Sequence, residues 1–195
     1  MLGLWSGLVI GIATEYFCSA SYGQVQGLAR ACLFDAATNI IKGLALGYFS
    51  TFIPICCLCI TVLCAFKWAA MYGVALSALG MLGTLPICLS VDGFGPIADN
   101  AGGIAEMSNL DPSVREHTDE LDAAGNTTAA IGKGFAIGSS LLVAFALFGA
   151  FITRVSALAP DAFNVNILDP YCFSGLLYGC MIPYLFSAFC MEAVG

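Results

Sequence analysis

The chain of 195 residues is 59% hydrophobic and only 10% charged, and its mean hydropathy is +0.91. Soluble domains carry about 25% charged residues, so this composition excludes an ordinary soluble domain and indicates a membrane protein. Thirteen acidic residues against six basic ones give a formal net charge of −7. We expect no nucleic-acid partner, because nucleic-acid-binding surfaces are basic.

Long uncharged stretches, among them 43–66, 134–153 and 170–191, reach the roughly 20 residues that a membrane-spanning helix needs. They predict an all-α polytopic membrane protein with about five transmembrane helices. In chain order we place these helices at 2–19, 36–66, 68–107, 112–154 and 169–191. Pro54 falls inside the second helix, where neighbouring helices in a membrane tolerate its kink. The polar stretch 21–35 is predicted to be a loop with a helical end.

The ten cysteines are interpreted as buried thiols rather than as disulfides or metal ligands. Most of them lie inside apolar runs, where a free Cys acts as a small hydrophobe. These are Cys56, Cys57, Cys59, Cys64, Cys88, Cys180 and Cys190. The cluster at 56–59 has no His, Asp or Glu beside it, and its spacing differs from that of a zinc module.

The third and fourth helices are predicted to be long and to extend beyond the bilayer as a polar hairpin. After residue 91 no strong turn signal appears until Asp111-Pro112-Ser113. A helix over 68–107 would be about 60 Å long, which is twice the hydrocarbon thickness of a membrane. Asp111 as N-cap and Pro112 at the first helical position predict the start of the next helix.

Acidic residues are concentrated in this hairpin, between residues 92 and 122. Asp92, Asp99 and Glu106 are spaced by seven and share one helical face. Asn126 and Lys133 share a face of the returning helix for the same reason.

A turn near position 112 would bring Asp99 level with Asn126, within about two residues. Their oxygen atoms suit a hard cation such as Mg²⁺, or else form a solvated face. The same turn would bring Asp92 level with Lys133, as a structural ion pair near the membrane boundary or as part of an ion pathway. Nucleophile triads and phosphate loops are missing from the sequence. A metal-bridged phosphate site and an ion pathway therefore both stay open at this point.

The hairpin closely resembles the membrane-integral inorganic pyrophosphatases, the vacuolar-type proton pumps. The resemblance is carried by Asp92-Gly-Phe-Gly-Pro-Ile-Ala-Asp99-Asn-Ala-Gly-Gly-Ile-Ala-Glu106-Met and by Arg115-Glu-His-Thr-Asp-Glu-Leu-Asp122-Ala-Ala-Gly-Asn126-Thr-Thr-Ala-Ala-Ile-Gly-Lys133-Gly-Phe-Ala-Ile-Gly-Ser. It extends outward through Thr14-Glu-Tyr, Ala69-Ala-Met-Tyr-Gly and Ile182-Pro-Tyr-Leu-Phe-Ser-Ala. Members of this family are homodimers with many more helices, so the resemblance implies that residues 1–195 form the central segment of a larger pump.

The resemblance implies pyrophosphate-driven transport of protons or sodium ions, with this segment supplying part of a Mg²⁺-pyrophosphate funnel. Asp99 and Asn126 match metal and substrate ligands of the family. Ala129 matches the small residue of relatives that K⁺ stimulates. The implied partners are pyrophosphate, membrane lipids, the remaining helices of the pump and a second subunit of a homodimer. The implied location is a vacuolar or acidocalcisomal membrane.

The family's water-activating acids match no part of this segment, so we expect the isolated segment to be inactive. The alternative from another class is a non-catalytic helical membrane remnant or an assembly subunit. A transporter without hydrolysis is a third. The choice between H⁺ and Na⁺ as the pumped ion is open.

Overall fold

The computed structural model describes residues 1–158 and 165–194, and it contains helices and turns but no strand within these ranges. The elements are α1 Leu2–Cys18, α2 Gly23–Ala31, α3 Ala36–Met81, a 3₁₀ turn Leu82–Thr84, α4 Leu85–Met107, α5 Pro112–Leu158 and α6 Pro170–Val194. The chain divides into two compact units, Met1–Gly149 and Ala150–Gly195. The predicted all-α class is confirmed.

In the described ranges, four helical stretches are long and apolar enough to cross a membrane by their length and composition. They are Leu2–Ala31, Ala36–Met107, Pro112–Leu158 and Pro170–Val194. The chain is therefore an integral, polytopic membrane protein. The second stretch is far longer than a bilayer needs, and it holds two of the predicted helices.

The two helices within this stretch separate at Ala69 and Ala70. Their dihedral angles, φ −148° and ψ 27° for Ala69 and φ 48° and ψ −143° for Ala70, are not helical. A Cβ atom on Gly73 would touch the carbonyl oxygen of Ala65, although these residues would lie about 12 Å apart in a continuous helix. α3 thus consists of two helices, 36–68 and 71–81, folded back on each other. Pro54 lies inside the first of them, as predicted.

The prediction of one uninterrupted helix over 68–107 is wrong at Leu82–Thr84, where a single 3₁₀ turn separates α3 from α4. Pro86 follows at the start of α4. Proline has no N–H, and its ring clashes with the carbonyl group four residues earlier, which here belongs to Leu82. Beyond this turn, α4 runs through Gly93, Gly95 and Pro96 without a break and ends at Met107.

The stretch predicted as a loop with a helical end at 21–35 contains a helix of nine residues, α2. The Nζ atom of Lys42 donates a hydrogen bond to the carbonyl oxygen of Gly27 at 2.8 Å. Arg30 lies in the last turn of α2, where a positive charge favours the carbonyl end of a helix. A short helix docked on α3 therefore replaces most of the expected loop.

The core of the first unit is formed by side chains from α1, both parts of α3 and α5. The large side chains that are fully buried in this core are Ile10, Val74, Met81 and Leu142, and Phe135 and Ala65 pack beside them. α1 lies close to α3 because Gly3 has no side chain. A Cβ atom at Gly3 would overlap the carbonyl oxygen of Ser77.

The second unit contains the last turns of α5 and the whole of α6. α5 continues to Leu158, beyond the predicted end at 154, and residues 159–164 of the predicted loop lie outside the described residues. α6 begins at Pro170, directly after Asp169, whose Oδ1 accepts a hydrogen bond from the N–H of Tyr171 at 2.8 Å. No described residue of α6 is buried.

Candidate functional site in the polar hairpin

The turn between α4 and α5 is compact because Asn109 adopts a left-handed conformation, with φ 50°. Asn tolerates this region better than most residues. The N–H of Leu110 then donates to the carbonyl oxygen of Ala105 at 3.1 Å. Asp111 Oδ1 accepts a hydrogen bond from the N–H of Ser113 at 2.9 Å, so the predicted cap of α5 is confirmed. Hydrogen bonds from the hydroxyl and then the N–H of Ser113 lower the pKa of Asp111.

We call residues 71–107 and 112–149 the hairpin, residues 92–127 its polar half, and residues 71–91 with 128–149 its apolar half. In the polar half the two helices approach through glycines. A Cβ atom on Gly125 would lie 2.6 Å from the Cα atom of Gly95. The other buried residues of α4 are equally small: Ala98, Gly102 and Ala105. Small residues allow such close contact between helix backbones.

Arg115 joins the two helices of the polar half. Its Nη1 lies 3.3 Å from Glu106 Oε2 on α4, and its Nε lies 2.8 Å from Asp119 Oδ1 on α5. These are the ion pairs formed within residues 1–158 and 165–194, and Asp92 and Lys133 take part in neither. The structure of this segment does not bring Asp92 and Lys133 together.

The Glu106–Arg115 contact fixes which residues of the two helices are level. Asp99 lies seven residues before Glu106, and Asp122 lies seven residues after Arg115. This register therefore brings Asp99 level with Asp122. Another step of seven brings Asp92 level with Ala129. Residues spaced by seven share a helical face, so these side chains lie on the same side of the hairpin as the ion pair.

The predicted level pairing of Asp99 with Asn126 is wrong by about one helical turn. Asn126 shares this side of the hairpin but lies about 6 Å farther along α5 than Asp122. Lys133 is displaced from Asp92 by the same amount. The reason is the compact turn at 108–111, which places the centre of the hairpin nearer to residue 110 than to the assumed 112.

The sequence prediction assigned no site role to Asp122 or Arg115, although both lie in the motif that carries the resemblance. Asp122 Oδ1 is buried and has no hydrogen-bond partner among residues 1–158 and 165–194, whereas Asp99 is exposed. In the described part of the chain, no three His, Cys, Asp or Glu side chains converge in a way that could hold a metal ion. The signal available in the sequence was the opposite charges of Glu106 and Arg115, which specify the register better than the turn residues do.

This side of the hairpin therefore presents oxygen atoms at successive heights. Asp99 and Asp122 are level, Asn126 lies one turn away, and neither of the two acids is paired with a cation in the described residues. Carboxylate and amide oxygens are the ligands of hard cations. The unpartnered oxygen of Asp122 fits such a cation, and further ligands from outside the segment would be needed to complete its coordination.

Comparison with known proteins finds similar sequences along the whole chain. The sequence model of the family described as "Inorganic H+ pyrophosphatase" matches residues 1–195. A protein of Clostridium tetani is 47% identical over 99% of this chain. The K(+)-stimulated pyrophosphate-energized sodium pump of Thermotoga maritima is 44% identical over 100% of the chain. The K(+)-insensitive pyrophosphate-energized proton pump of Methanosarcina mazei is 42% identical over 94% of the chain.

These matches cover 29%, 28% and 28% of the three relatives' own lengths. The chain therefore spans less than a third of the length of each of these three relatives.

Proposed function

The chain belongs to the inorganic H⁺ pyrophosphatase family, and from this premise we propose that it is a segment of a membrane pump driven by pyrophosphate hydrolysis. The pump transports protons or sodium ions, and this segment contributes to the site for Mg²⁺ and pyrophosphate. The observation that carries the proposal is the alignment of Asp99 with Asp122 on one side of the hairpin, which the Glu106–Arg115 contact defines.

The segment's own residues would hold the metal rather than perform the hydrolysis. Asp99 and Asn126 supply oxygen ligands, and Asp122 adds a carboxylate whose Oδ1 has no partner within the described chain. When bound, Mg²⁺ neutralises pyrophosphate and the leaving phosphate. The residues that activate water lie outside this segment under the proposal, so residues 1–195 alone would not hydrolyse pyrophosphate.

We propose that K⁺ stimulates this pump through the space beside Ala129. The register makes the small side chain of Ala129 level with the half-buried Asp92, and under this proposal the monovalent cation binds next to that carboxylate. The relatives include both a K⁺-stimulated and a K⁺-insensitive pump. Lys133, one turn from Ala129, is proposed to couple the site to ion movement together with Asp92.

The proposed homodimer and the vacuolar or acidocalcisomal membrane rest on the sequence resemblance. These three relatives come from bacteria and an archaeon. Their ion specificity differs between sodium and protons, so either ion is compatible with the proposal.

The metal-site proposal is tested by Asp99→Ala in the full-length pump that contains this segment. We expect Mg²⁺-dependent pyrophosphate hydrolysis to be abolished while the amount of folded pump is unchanged, because an exposed carboxylate contributes little to packing. Glu116→Ala is the matched control: it removes an exposed acid of the same hairpin outside the aligned positions. Near-normal hydrolysis by the Asp99 variant would contradict the ligand assignment and favour a non-catalytic role for this segment.

The K⁺ proposal is tested by Ala129→Lys in the same pump. The ammonium group would occupy the cation's position beside Asp92, so hydrolysis should lose its dependence on K⁺ in an assay that varies K⁺ alone. Ala123→Lys, at an exposed position of α5, adds the same charge and should leave the dependence intact. A K⁺ response that persists in the Ala129 variant would refute this assignment.

A further inference from the structure

The polar half of the hairpin has one cationic link between its two helices within the described chain, and this link lies next to the level acids. We propose that Arg115 is a positioning residue, which holds α4 and α5 together and thereby keeps Asp99 and Asp122 level across the two helices. The consequence for Mg²⁺ rests on the proposed function, whereas the structural role of Arg115 does not.

The geometry of Arg115 is that of a clasp across the two helices. Its Nη1 reaches Glu106 on α4 and its Nε reaches Asp119 on α5, so one planar guanidinium contacts both helices. Arginine suits this role because its donors are arranged in a rigid fork. The guanidinium lies over the surface of Gly102, where a Cβ atom would be only 3.1 Å from Nη1.

The polar half needs such a clasp because little else holds it closed. The buried residues of α4 are alanines and glycines, and no large side chain from α5 fills the contact within the polar half. Acidic side chains on both helices repel one another when they are ionised. Asp99 and Asp122 lie about two turns from the Glu106–Arg115 pair, near enough that separation of the helix ends would separate them too.

Cross-linking measures this closure without any assay of activity. In the full-length pump, Gly102→Cys and Thr118→Cys would introduce two thiols into the polar half, which has no native cysteine. A Cβ atom at Gly102 lies 3.3 Å from Thr118 Oγ1, the atom that a cysteine sulfur would replace, so a disulfide is within reach. Failure of this pair to form a disulfide in the presence of Arg115 would overturn the proposal.

We expect Arg115→Ala to slow this disulfide formation about threefold, since exposed ion pairs hold two groups together only weakly. Arg115→Lys keeps a positive charge beside the thiols but loses the fork, so it should also slow the reaction. An unchanged rate in the Ala variant, or a Lys variant that equals wild type, would overturn the clasp.

A second disulfide provides the matched control in the apolar half. The Cβ position of Gly132 is 3.5 Å from the Cβ atom of the native Cys88, so Gly132→Cys alone creates the pair. The packed core holds this half closed, and its rate of disulfide formation should not depend on Arg115. A slower rate here as well would indicate general unfolding and contradict a local clasp.

The link to the metal site is tested by the Mg²⁺ dependence of hydrolysis. Arg115→Ala should raise the Mg²⁺ concentration for half-maximal activity about threefold, in proportion to the loosened clasp. Oxidising the cysteines at 102 and 118 should restore the original value, and reduction should abolish the rescue. A deficit that persists in the cross-linked pump would mean that Arg115 acts by direct contact with substrate. A pump that hydrolyses no pyrophosphate even with Arg115 present would refute the proposed function and leave the cross-linking result intact.

Discussion

The two halves of the hairpin are held together in different ways. In the apolar half, large side chains such as Phe135, Leu142 and Met81 pack into a shared core with α1 and the first part of α3. In the polar half, the contact consists of Gly95 against Gly125 and other small buried residues. Arg115 connects the two helices near the turn at 108–111.

This difference indicates that the apolar half is the rigid part of the segment and that the polar half carries the side chains of the candidate site. The apolar half gains its stability from close side-chain packing, which association in lipid depends on. The polar half leaves its acidic side open, so that Asp99 and Asn126 remain exposed to groups from elsewhere. The packed apolar half fixes the position of the candidate site. Small structural changes in the polar half should alter the site itself.

The largest effect is expected in the apolar half. Leu142→Ala removes a fully buried side chain and should destabilise the full-length pump by about 2–5 kcal/mol, because the cavity left behind collapses only in part. Thermal unfolding in detergent would measure the change. Leu141→Ala truncates the exposed neighbour and should cost far less. Equal losses of unfolding free energy in the two variants would contradict the assignment of Leu142 to the core and of Leu141 to the surface.

A smaller but more specific effect is expected in the polar half. Gly125→Ala places a methyl group against the backbone of Gly95 and should cost about 1–3 kcal/mol through overpacking. Because the helices must separate, the Mg²⁺ requirement for hydrolysis should rise in the same variant. Gly103→Ala is the control, since its added methyl group meets no atom within 4 Å. An unaltered Mg²⁺ requirement in the Gly125 variant would show that helix spacing does not govern the site.

The smallest effect concerns the cap at the start of α5. The pKa of Asp111 is lower in the folded chain than its ordinary value of 3.8, so the cap stabilises the helix above that value. This contribution is lost as the pH falls through the lowered pKa. Hydrogen-exchange protection of the Ser113 amide, corrected for intrinsic rates, should therefore decrease below about pH 4. Asp111→Asn retains an oxygen acceptor but cannot titrate, and its protection should not follow this pH change.

The sequence predicted much of the fold because its signals were local. Pro112 after Asp111, and the long uncharged stretches, specified where helices begin and which of them are apolar. The 3₁₀ turn at Leu82–Thr84 was missed because Pro86 disrupts the helix one turn before its own position. The residues of that turn have a composition typical of a helix. The helix at Gly23–Ala31 was missed because its polar composition resembles that of a loop.

The site was predicted less completely because it depends on the register of two helices. The face shared by Asp92, Asp99 and Glu106 follows from spacing alone. Their partners on α5 depend on the left-handed Asn109, which shortens the turn, and sequence spacing does not contain that information. The result was an error of about one turn, which exchanged Asp122 for Asn126 opposite Asp99.

The reversal at Ala69 and Ala70 has a consequence for experiments on membrane topology. Two residues connect the helices 36–68 and 71–81, so there is almost no loop to carry an inserted epitope or a protease site at that end. A tag inserted between Ala69 and Ala70 would have to separate Gly73 from Ala65, which are in contact. The opposite end, at 108–111, ends in an exposed turn. Reporter insertions should therefore be tolerated at only one end of this hairpin, and that end is the one that can reveal which side of the membrane the acids face.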